Sequence, residues 1–270
     1  DLERFTQLAK RHRPWFVLTG AGCSTGSGIP DYRDVDGQWK RKQPIHFPQF
    51  MATDAARRRY WARSMVGWTY FSKASPNAIH ASLARLESSG AIHQLVTQNV
   101  DGLHQHAGSS RIIDLHGRLD QVICTQCGLR SCREQLQARL ELSNPEWLYR
   151  AAQIAPDGDV DLEGVDYDRF RTVECEGCGG ILKPDVVFFG ENVPKLRVGA
   201  AMASLAEAGA LMVVGSSLMV FSGYRFVRAA VADGQPILIA NRGKTRGDDD
   251  ATCKVELSAE NVLAHLESAL

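Results

Sequence analysis

The stretch that decides the fold is Trp15–Gly28, which reads WFVLTGAGCSTGSG. Its first four residues form a short apolar run typical of a buried strand, and the small residues after them are typical of a tight turn into a helix. Backbone N–H groups in such a turn, together with a helix N-terminus, can hold a pyrophosphate. The alternative is a turn that binds nothing. So many small residues in a row stabilise a fold poorly, which favours a ligand.

The motif departs from the G-x-G-x-x-G pattern of dehydrogenases. Thr25 stands where the third glycine would be, and no acidic residue follows a second strand about 20 positions on to bind the ribose. The sequence therefore predicts a dinucleotide ligand without ordinary hydride transfer.

Strand and helix patterns alternate along the rest of the chain. Four further apolar runs have the length of buried strands, namely Ile92–Thr97, Ile112–Leu115, Ala210–Val214 and Ile237–Ala240. Two helices are predicted between them, Pro76–Ser88 behind a Ser75 cap and the alanine-rich Leu196–Ala208. This alternation predicts an α/β fold, a Rossmann-like parallel sheet with helices on both faces.

Two stretches interrupt the alternation. Residues 36–75 carry no strand pattern but contain an arginine- and aromatic-rich helix, and residues 123–180 contain two cysteine pairs and an acidic loop. We interpret both as insertions that form a smaller domain, part helical and part zinc-binding. Residues 1–35, 76–122 and 181–270 would then form the dinucleotide-binding sheet domain.

Composition limits the partners. The 270 residues are 44% hydrophobic, and Lys+Arg and Asp+Glu both total 31, so the chain has no overall field to attract nucleic acid or an anionic membrane. The longest apolar runs fall short of the roughly 20 residues that span a bilayer, and residues 1–13 lack the apolar core of a secretory signal. We expect a soluble protein that binds neither nucleic acid nor membrane. Its compartment would be reducing: the cytoplasm of a bacterium, or the mitochondrial matrix of a eukaryote.

Four cysteines form two Cys-x-x-Cys pairs, Cys124 with Cys127 and Cys175 with Cys178, separated by 47 residues (128–174). Each pair is followed by glycine, as in knuckles that direct two thiolates at one ion. Four thiolates close the coordination shell of Zn²⁺, so the predicted site is structural rather than catalytic. The alternative is two unrelated thiol pairs. The cysteines without a partner at metal spacing are Cys23, Cys132 and Cys253.

Polar clusters follow two of the predicted strands, at Thr97–His104 and Asp114–Gly117. The carboxyl ends of strands in an open parallel sheet border the crevice where ligands bind. His116, followed by a glycine that permits close approach, is therefore a candidate general base, with a structural histidine as the alternative. For His104 and His106 we favour the structural role.

In this order, the motifs resemble those of the sirtuins, NAD-dependent protein lysine deacylases. The resemblance covers nearly the whole chain and rests on the cysteine pairs and on Gly20–Arg33, Gln98–Asp101, Leu115–Gly117, Lys183–Glu191, Gly215–Leu218 and Asn241–Gly243. Three further segments are similar to class II, the branch that holds a mitochondrial sirtuin and its bacterial relatives: Tyr60–Trp68, Ala155–Asp159 and Ser222–Phe226.

The resemblance implies NAD as co-substrate and one structural Zn²⁺ on the four cysteines. It implies that the pyrophosphate is held by Gly20, Ala21 and Gly22. It implies a loop over the nicotinamide ribose formed by Asp31, Tyr32 and Arg33, where most sirtuins have phenylalanine in place of Tyr32. The ribose and nicotinamide pocket would be lined by Gln98, Asn99 and Asp101. The adenosine half would be held by Gly215, Ser216, Ser217, Asn241 and Gly243, with a last backbone contact near Ala259.

The resemblance also implies the reaction. The acyl oxygen of a substrate lysine attacks C1′ of the nicotinamide ribose as nicotinamide leaves, so no protein nucleophile is needed. His116 serves as base for the ribose hydroxyl that completes acyl transfer to ADP-ribose, and Asn99 belongs to the catalytic set. The segment Val186–Glu191 would pair with an acyl-lysine protein or peptide as an added strand, with Val187 and Phe188 lining the acyl-lysine tunnel.

Two other functions stay open at this level. A protein ADP-ribosyltransferase would use the same NAD pocket but transfer ADP-ribose to a protein side chain. A zinc-ribbon binding module would explain the cysteines and leave the other motifs without a role, and the neutral charge of the chain disfavours nucleic acid as its partner.

The acyl group is predicted from one helix, Ala55–Phe71. Trp61, Met65 and Trp68 fall at i, i+4 and i+7 and form the expected buried stripe, so Tyr60 and Arg63 share another flank. Resemblance to sirtuins that remove succinyl groups implies that this Tyr-x-x-Arg pair binds the distal carboxylate of the acyl chain, because such charge-assisted hydrogen bonds are strong. The alternative is that Arg63 pairs with a nearby acid and Tyr60 packs.

Overall fold

The computed structural model describes residues 1–40, 43–147, 153–162 and 164–270. Its strands are β1 Trp15–Thr19, β2 Ile92–Thr97, β3 Ile112–Asp114, β4 Gly117–Cys124, β5 Arg130–Cys132, β6 Gln153–Ile154, β7 Val160–Asp161, β8 Leu182–Val186, β9 Ala210–Val214, β10 Ile237–Ala240 and β11 Cys253–Val255. Its helices are α1 Leu2–Arg11, α2 Phe47–Ala52, α3 Asp54–Phe71, α4 Ala78–Ser88, α5 Leu103–His106, α6 Arg133–Ser143, α7 Lys195–Glu207, α8 Phe221–Ala232 and α9 Ala259–Ala269.

The central sheet has six parallel strands in the order β11-β10-β9-β1-β2-β3. The chain starts in the middle at β1, adds β2 and β3 on one side, and later adds β9, β10 and β11 on the other. The strand order therefore reverses between β1 and β9, which is where ligands bind in such sheets. The predicted Rossmann-like parallel sheet is confirmed.

Alternate residues of β1 pack against different helices. Trp15 and Val17 belong to a core shared with α1, α4 and α9, whereas Phe16 and Leu18 belong to a core shared with α7 and α8. Successive side chains of a strand point to opposite faces of its sheet. The sheet is therefore covered by helices on both faces, and β1 is buried along its whole length.

A second sheet of three antiparallel strands, β5-β4-β8, carries the cysteine pairs. It shares a third core with α2, α3 and α6, and we call these six elements the small module. Residues 117–122 and 182–186 are predicted to lie in the sheet domain, yet they form β4 and β8 and pair within the small module. The division of the chain into two domains stays a prediction.

All three predicted helices begin at other residues than predicted; α7 begins at Lys195 rather than Leu196, and the starts of α4 and α3 are explained by their caps. α4 begins at Ala78 rather than Pro76, because Asn77 replaces Ser75 as its cap and accepts from the Ile79 N–H at 2.9 Å. α3 begins at Asp54, because the Thr53 hydroxyl accepts from the Ala56 N–H at 3.1 Å. Among the helices described, none combines the length and the apolar character needed to cross a bilayer.

Candidate functional site

A large cavity opens where the strand order of the central sheet reverses. Its volume is about 1150 Å³, which is slightly above the usual range for small-molecule sites and suits a dinucleotide together with a side chain. Its walls come from the loops after β1, β2, β9 and β10, from the segment after β8 and from the start of α9. The residues of these walls include 20–22, 98–101, 186–193, 215–222, 240–242 and 257–261.

The predicted pyrophosphate turn packs against the loop after β9. The Gly22 N–H donates to the Gly215 carbonyl at 2.9 Å, and a Cβ on Gly22 would lie 2.9 Å from the same oxygen. A Cβ on Gly20 would lie 2.7 Å from that of Ser216. Glycine is therefore required here for two loops to meet, whatever else the turn binds.

The pattern of this turn predicts that it leads into an α-helix, but the structure shows no α-helix there. It forms two short 3-10 turns, Ala21–Cys23 and Thr25–Ser27, and ends at Gly28 with φ +83°. Glycine, serine and threonine are weak helix formers, which explains the difference. Any anion bound there would contact the N–H groups of the turn rather than the start of an α-helix.

A polar network joins this turn to the loop after β2. The Asn99 amide donates to the Gly20 carbonyl at 3.1 Å and to the Ser24 hydroxyl at 3.0 Å. Ser24 in turn donates to the Asp101 carboxylate at 2.6 Å. Gln98 donates to the Ser216 hydroxyl at 2.7 Å. The structure therefore brings Gln98, Asn99 and Asp101 to the glycine turn, as the sequence analysis expected of a shared pocket.

His116 lies on the cavity wall, held by both of its ring nitrogens. Its Nδ1 lies 2.8 Å from the Gln98 carbonyl oxygen and its Nε2 lies 2.7 Å from the Ser222 hydroxyl. Burial, together with the positive charges of Arg197 and Arg225, lowers the pKa of His116 to about 4, against the Gln98 hydrogen bond that raises it. At neutral pH the ring is uncharged, and a group in that state can accept a proton.

The other two histidines of this region lie apart from the cavity wall. His104 is buried, with its Nε2 3.0 Å from the Thr19 hydroxyl, and burial lowers its pKa to about 3. His106 is exposed at the end of α5. Both positions suit the structural role that we favoured for them.

The predicted ribose loop lines the cavity with Asp31, Tyr32 and Arg33. The Arg33 guanidinium lies 4.1 Å from the centre of the Trp39 ring and donates to the Gly37 carbonyl at 2.7 Å. The Asp31 carboxylate pairs with Lys40 at 2.5 Å. These contacts hold the loop in shape from within.

On the adenosine side, four of the five predicted residues and Ala259 line the cavity, whereas Gly243 does not. Gly243 has φ +78°, and a Cβ there would lie 2.4 Å from the Val35 carbonyl oxygen. Its place is in a turn packed on the Val35 backbone. Gly243 therefore lies outside the cavity lining, and its contact with the adenosine half stays a prediction.

The opposite end of the cavity is lined by aromatic and aliphatic side chains. Val187 and Phe188 lie there with Tyr60, whose ring packs edge-on against Phe188 at 5.3 Å between centroids. Burial raises the pKa of Tyr60 well above its ordinary value, so its phenol stays neutral. This end suits the apolar stem of an acylated lysine.

Arg63 is paired with a nearby acid, which is the alternative that the sequence left open for helix α3. Its Nε donates to the Asp159 carboxylate at 2.8 Å and to the Val160 carbonyl at 2.7 Å, and it is outside the cavity lining. Trp61, Met65 and Trp68 are buried as expected, but so is Tyr60. The buried surface of α3 is wider than one stripe, because the helix packs against several elements of the small module and the acidic loop at once. Tyr60 and Arg63 are thereby directed at different partners.

The four paired cysteines converge on one point. Their Sγ atoms all lie within 4.8 Å of one another, with Cys124 3.5 Å from Cys178 and Cys127 3.8 Å from Cys175. Four sulfurs around Zn²⁺ at the usual bond length would be about 3.8 Å apart, whereas a disulfide would need about 2.05 Å. Within the described part of the chain, these four form the one group of metal-ligating side chains at such spacing. The donors fit a structural zinc ion.

Comparison with known proteins agrees with this geometry. The family model described as "Sir2 family" matches residues 20–222. The chain belongs to the Sir2 family. This Sir2 chain is 59% identical over 253 residues to a Bordetella bronchiseptica protein named NAD-dependent protein deacetylase, covering 94% of this chain and 92% of that protein. It is 57% identical over 256 residues to NAD-dependent protein deacetylase 2 of Bradyrhizobium diazoefficiens, covering 95% and 94%.

Solved Sir2 structures have the same fold. One described as "Sir2-p53 peptide-NAD+" is similar with a TM-score of 0.76 and 29% identity, over 99% of this chain and 98% of that one. Another, described as "Sir2 bound to acetylated peptide", has a TM-score of 0.74 and 28% identity, over 98% of each. The resemblance to sirtuins is confirmed, and the assignment to class II stays a prediction.

Three residues of the site were not predicted from the sequence. Ser24 joins Asn99 to Asp101, Ser222 contacts His116, and Asp157 lines the cavity beside Tyr60. Ser24 lies inside the quoted glycine motif, so its position could have been a signal. Ser222 and Asp157 lie in two of the segments that are similar to class II, but that resemblance gave them no role, and each reaches the cavity from a distant part of the chain.

Proposed function

We propose that this Sir2-family chain is an NAD-dependent protein deacetylase, which moves the acyl group of an acyl-lysine protein or peptide to ADP-ribose and releases nicotinamide. The observation that carries the proposal is the neutral His116, whose Nε2 lies on the wall of a cavity large enough for a dinucleotide, beside Asn99 and Gln98. The names of the similar bacterial proteins support it. Because four thiolate ligands require reduced cysteines, we propose a reducing compartment, the bacterial cytoplasm, as its place of action.

NAD, when bound, supplies the ribose carbon that the acyl oxygen attacks. The chain's own residues then do two things. The Gln98 carbonyl accepts from Nδ1–H of His116 and so leaves the Nε2 lone pair to take the proton of a ribose hydroxyl. Asn99, fixed by Gly20 and Ser24, holds the polar side of the pocket in place.

The substrate peptide would lie along the segment Val186–Glu191. The whole segment lines the cavity, and the Val187 N–H donates to the His116 carbonyl at 2.7 Å. A lysine stem that passes Val187 and Phe188 therefore reaches the base. We propose this segment as the edge to which the peptide adds.

The direct test is a reaction of the purified protein with NAD and an acetyl-lysine peptide, followed by mass spectrometry. Loss of the acetyl mass with release of nicotinamide is the expected result. Gain of an ADP-ribose mass without loss of acetyl would instead support the ADP-ribosyltransferase. If the zinc-bound protein with NAD causes neither loss of acetyl mass nor gain of ADP-ribose mass, both the deacetylase and the ADP-ribosyltransferase would be contradicted.

We further propose that the cavity disfavours acyl chains that end in a carboxylate, contrary to the expectation from Tyr60 and Arg63. Arg63 is engaged by Asp159, and Asp157 lines the cavity. Burial, and after it the charge of the neighbouring Asp157, raises the pKa of Asp159 to about 7, and both carboxyl groups already compete for the charge of Arg63. A third carboxylate would be repelled.

Replacing Asp157 by asparagine is expected to raise kcat/KM for succinyl-lysine relative to butyryl-lysine by roughly tenfold, because it removes an acidic group that disfavours a second carboxylate at short range. Butyryl has nearly the same length without the charge, so the ratio isolates the charge. Asp233→Asn is the matched control, since this exposed residue at the end of α8 lies outside the cavity lining. Faster removal of succinyl than butyryl by the unaltered protein, lost on Arg63→Ala, would restore the carboxylate site at Tyr60 and Arg63.

A further inference from the structure

Ser222 contacts the proton-accepting atom of the proposed base. It is the second residue of α8, and its hydroxyl lies 2.7 Å from Nε2 of His116. Both residues line the same cavity. No other part of the mechanism above uses Ser222.

The positions of the hydrogens follow from the partners of the ring. The Gln98 carbonyl can only accept, so Nδ1 of His116 carries the hydrogen of the neutral imidazole. Nε2 then presents a lone pair, and the Ser222 hydroxyl must be the donor at the 2.7 Å contact. The ring is therefore fixed from both sides in the one tautomer that leaves Nε2 basic.

Close packing at the start of α8 holds Ser222 at this place. A Cβ on the next residue, Gly223, would lie 2.5 Å from the side-chain oxygen of Gln98. Glycine therefore lets the first turn of α8 rest on Gln98, the same residue whose carbonyl holds the other side of the ring. His116, Gln98 and Ser222 form one packed unit, although they come from three separate segments.

We propose that Ser222 is a positioning residue for His116, a role that rests on the proposed deacetylase function. Its hydroxyl holds the ring in the neutral tautomer with Nε2 at the cavity surface. Because Nε2 has one lone pair, an arriving ribose hydroxyl must displace the Ser222 hydrogen from it. When the ribose hydroxyl then gives its proton to Nε2, the ring becomes a donor at both nitrogens, and the oxygen of the turned Ser222 hydroxyl can accept. Ser222 itself gains and loses no proton.

Ser222→Ala is expected to lower kcat by roughly three- to tenfold, with KM for NAD and for peptide changed less than twofold. Loss of a hydrogen bond to the neutral ring favours the charged ring, so the pKa of His116 should rise from about 4 by roughly half to one unit. The charged groups facing the ring, Arg197 on α7 and Arg225 on α8, are unchanged in this variant. The acid side of the kcat profile should therefore move to higher pH, as should the titration of the His116 ring followed by nuclear magnetic resonance on nitrogen-labelled histidine.

Ser222→Thr, which keeps the hydroxyl, should restore both the rate and the pH profile. Ser268→Ala is the matched control on α9, where the serine hydroxyl only donates to the Ala264 carbonyl of its own helix. An unchanged His116 titration in Ser222→Ala, or a faster kcat, would overturn the positioning role while leaving the deacetylase proposal intact. Failure of the deacetylase proposal would show separately, as absence of deacetylation by the unaltered protein.

Discussion

Replacing His116 by alanine is expected to lower kcat for deacetylation by roughly two to four orders of magnitude, the usual contribution of a general base. NAD should still bind, because the glycine turn, the Asn99 network and the loop after β9 do not depend on the imidazole for their contacts with one another. The rate at which the peptide loses its acetyl mass measures the first effect, because nicotinamide leaves before His116 acts, and calorimetric titration with NAD measures the second.

His93→Ala is the matched control for this experiment. His93 lies on β2 with its Nε2 3.2 Å from Glu207, outside the cavity lining, and its loss should leave kcat within about twofold. A His116 variant with full activity would refute the assignment of the base. A variant that no longer binds NAD would show that the imidazole shapes the pocket rather than accepting a proton.

Removal of the metal, or replacement of Cys175 by alanine, is expected to unfold the small module and abolish activity. The free energy of zinc binding in such four-ligand sites, about 10–16 kcal/mol, is also free energy of folding. Unfolding of the small module should disrupt the active site, because β4 runs from Gly117, next to His116, to Cys124, and β8 ends next to Val187. A Cβ on Gly117 would lie 1.9 Å from the Asp185 carbonyl oxygen, so the two strands are in tight contact next to His116.

The checks are metal analysis, thermal melting and deacetylase assay of the same preparations. Cys132→Ala removes a thiol from the same module but not from the cluster, since Cys132 lies outside the four-sulfur group. It should keep one zinc ion and full activity. A protein without zinc, or a Cys175→Ala variant with unchanged melting and activity, would contradict a structural metal site.

The local patterns of this sequence predicted the central sheet well. Of the five predicted strands, β1, β9 and β10 are short, mainly apolar runs that are buried along their whole length, and a run of this kind can be stable only when both of its faces are covered. The cysteine pairs were equally informative, because two knuckles of fixed spacing have few uses other than one shared ion. The position of the glycine turn was predicted correctly. The α-helix expected after it was wrong, because the pattern of small residues does not include their low helix propensity.

Helix α3 shows where such reasoning reaches its limit. Periodicity predicted the buried Trp61, Met65 and Trp68, since it reports which face of a helix avoids water. It did not report that Tyr60 would also be buried, at the cavity, or that Arg63 would meet an acid. Those outcomes depend on which other segments pack around the helix, and the helix's own residues do not encode that.

By itself, the sequence determined the parallel sheet, the family, the four-cysteine cluster and His116 as the residue after a strand end. These follow from residues close together in the chain or from motifs in a fixed order. Only the tertiary structure decided the partners of the reactive groups: Arg63 with Asp159, 96 positions away, and His116 with Ser222, 106 positions away. The physical reason is that a local pattern sets which surface of a segment is buried, whereas a hydrogen bond requires two atoms within about 3 Å, and only the packing of whole elements brings distant segments that close.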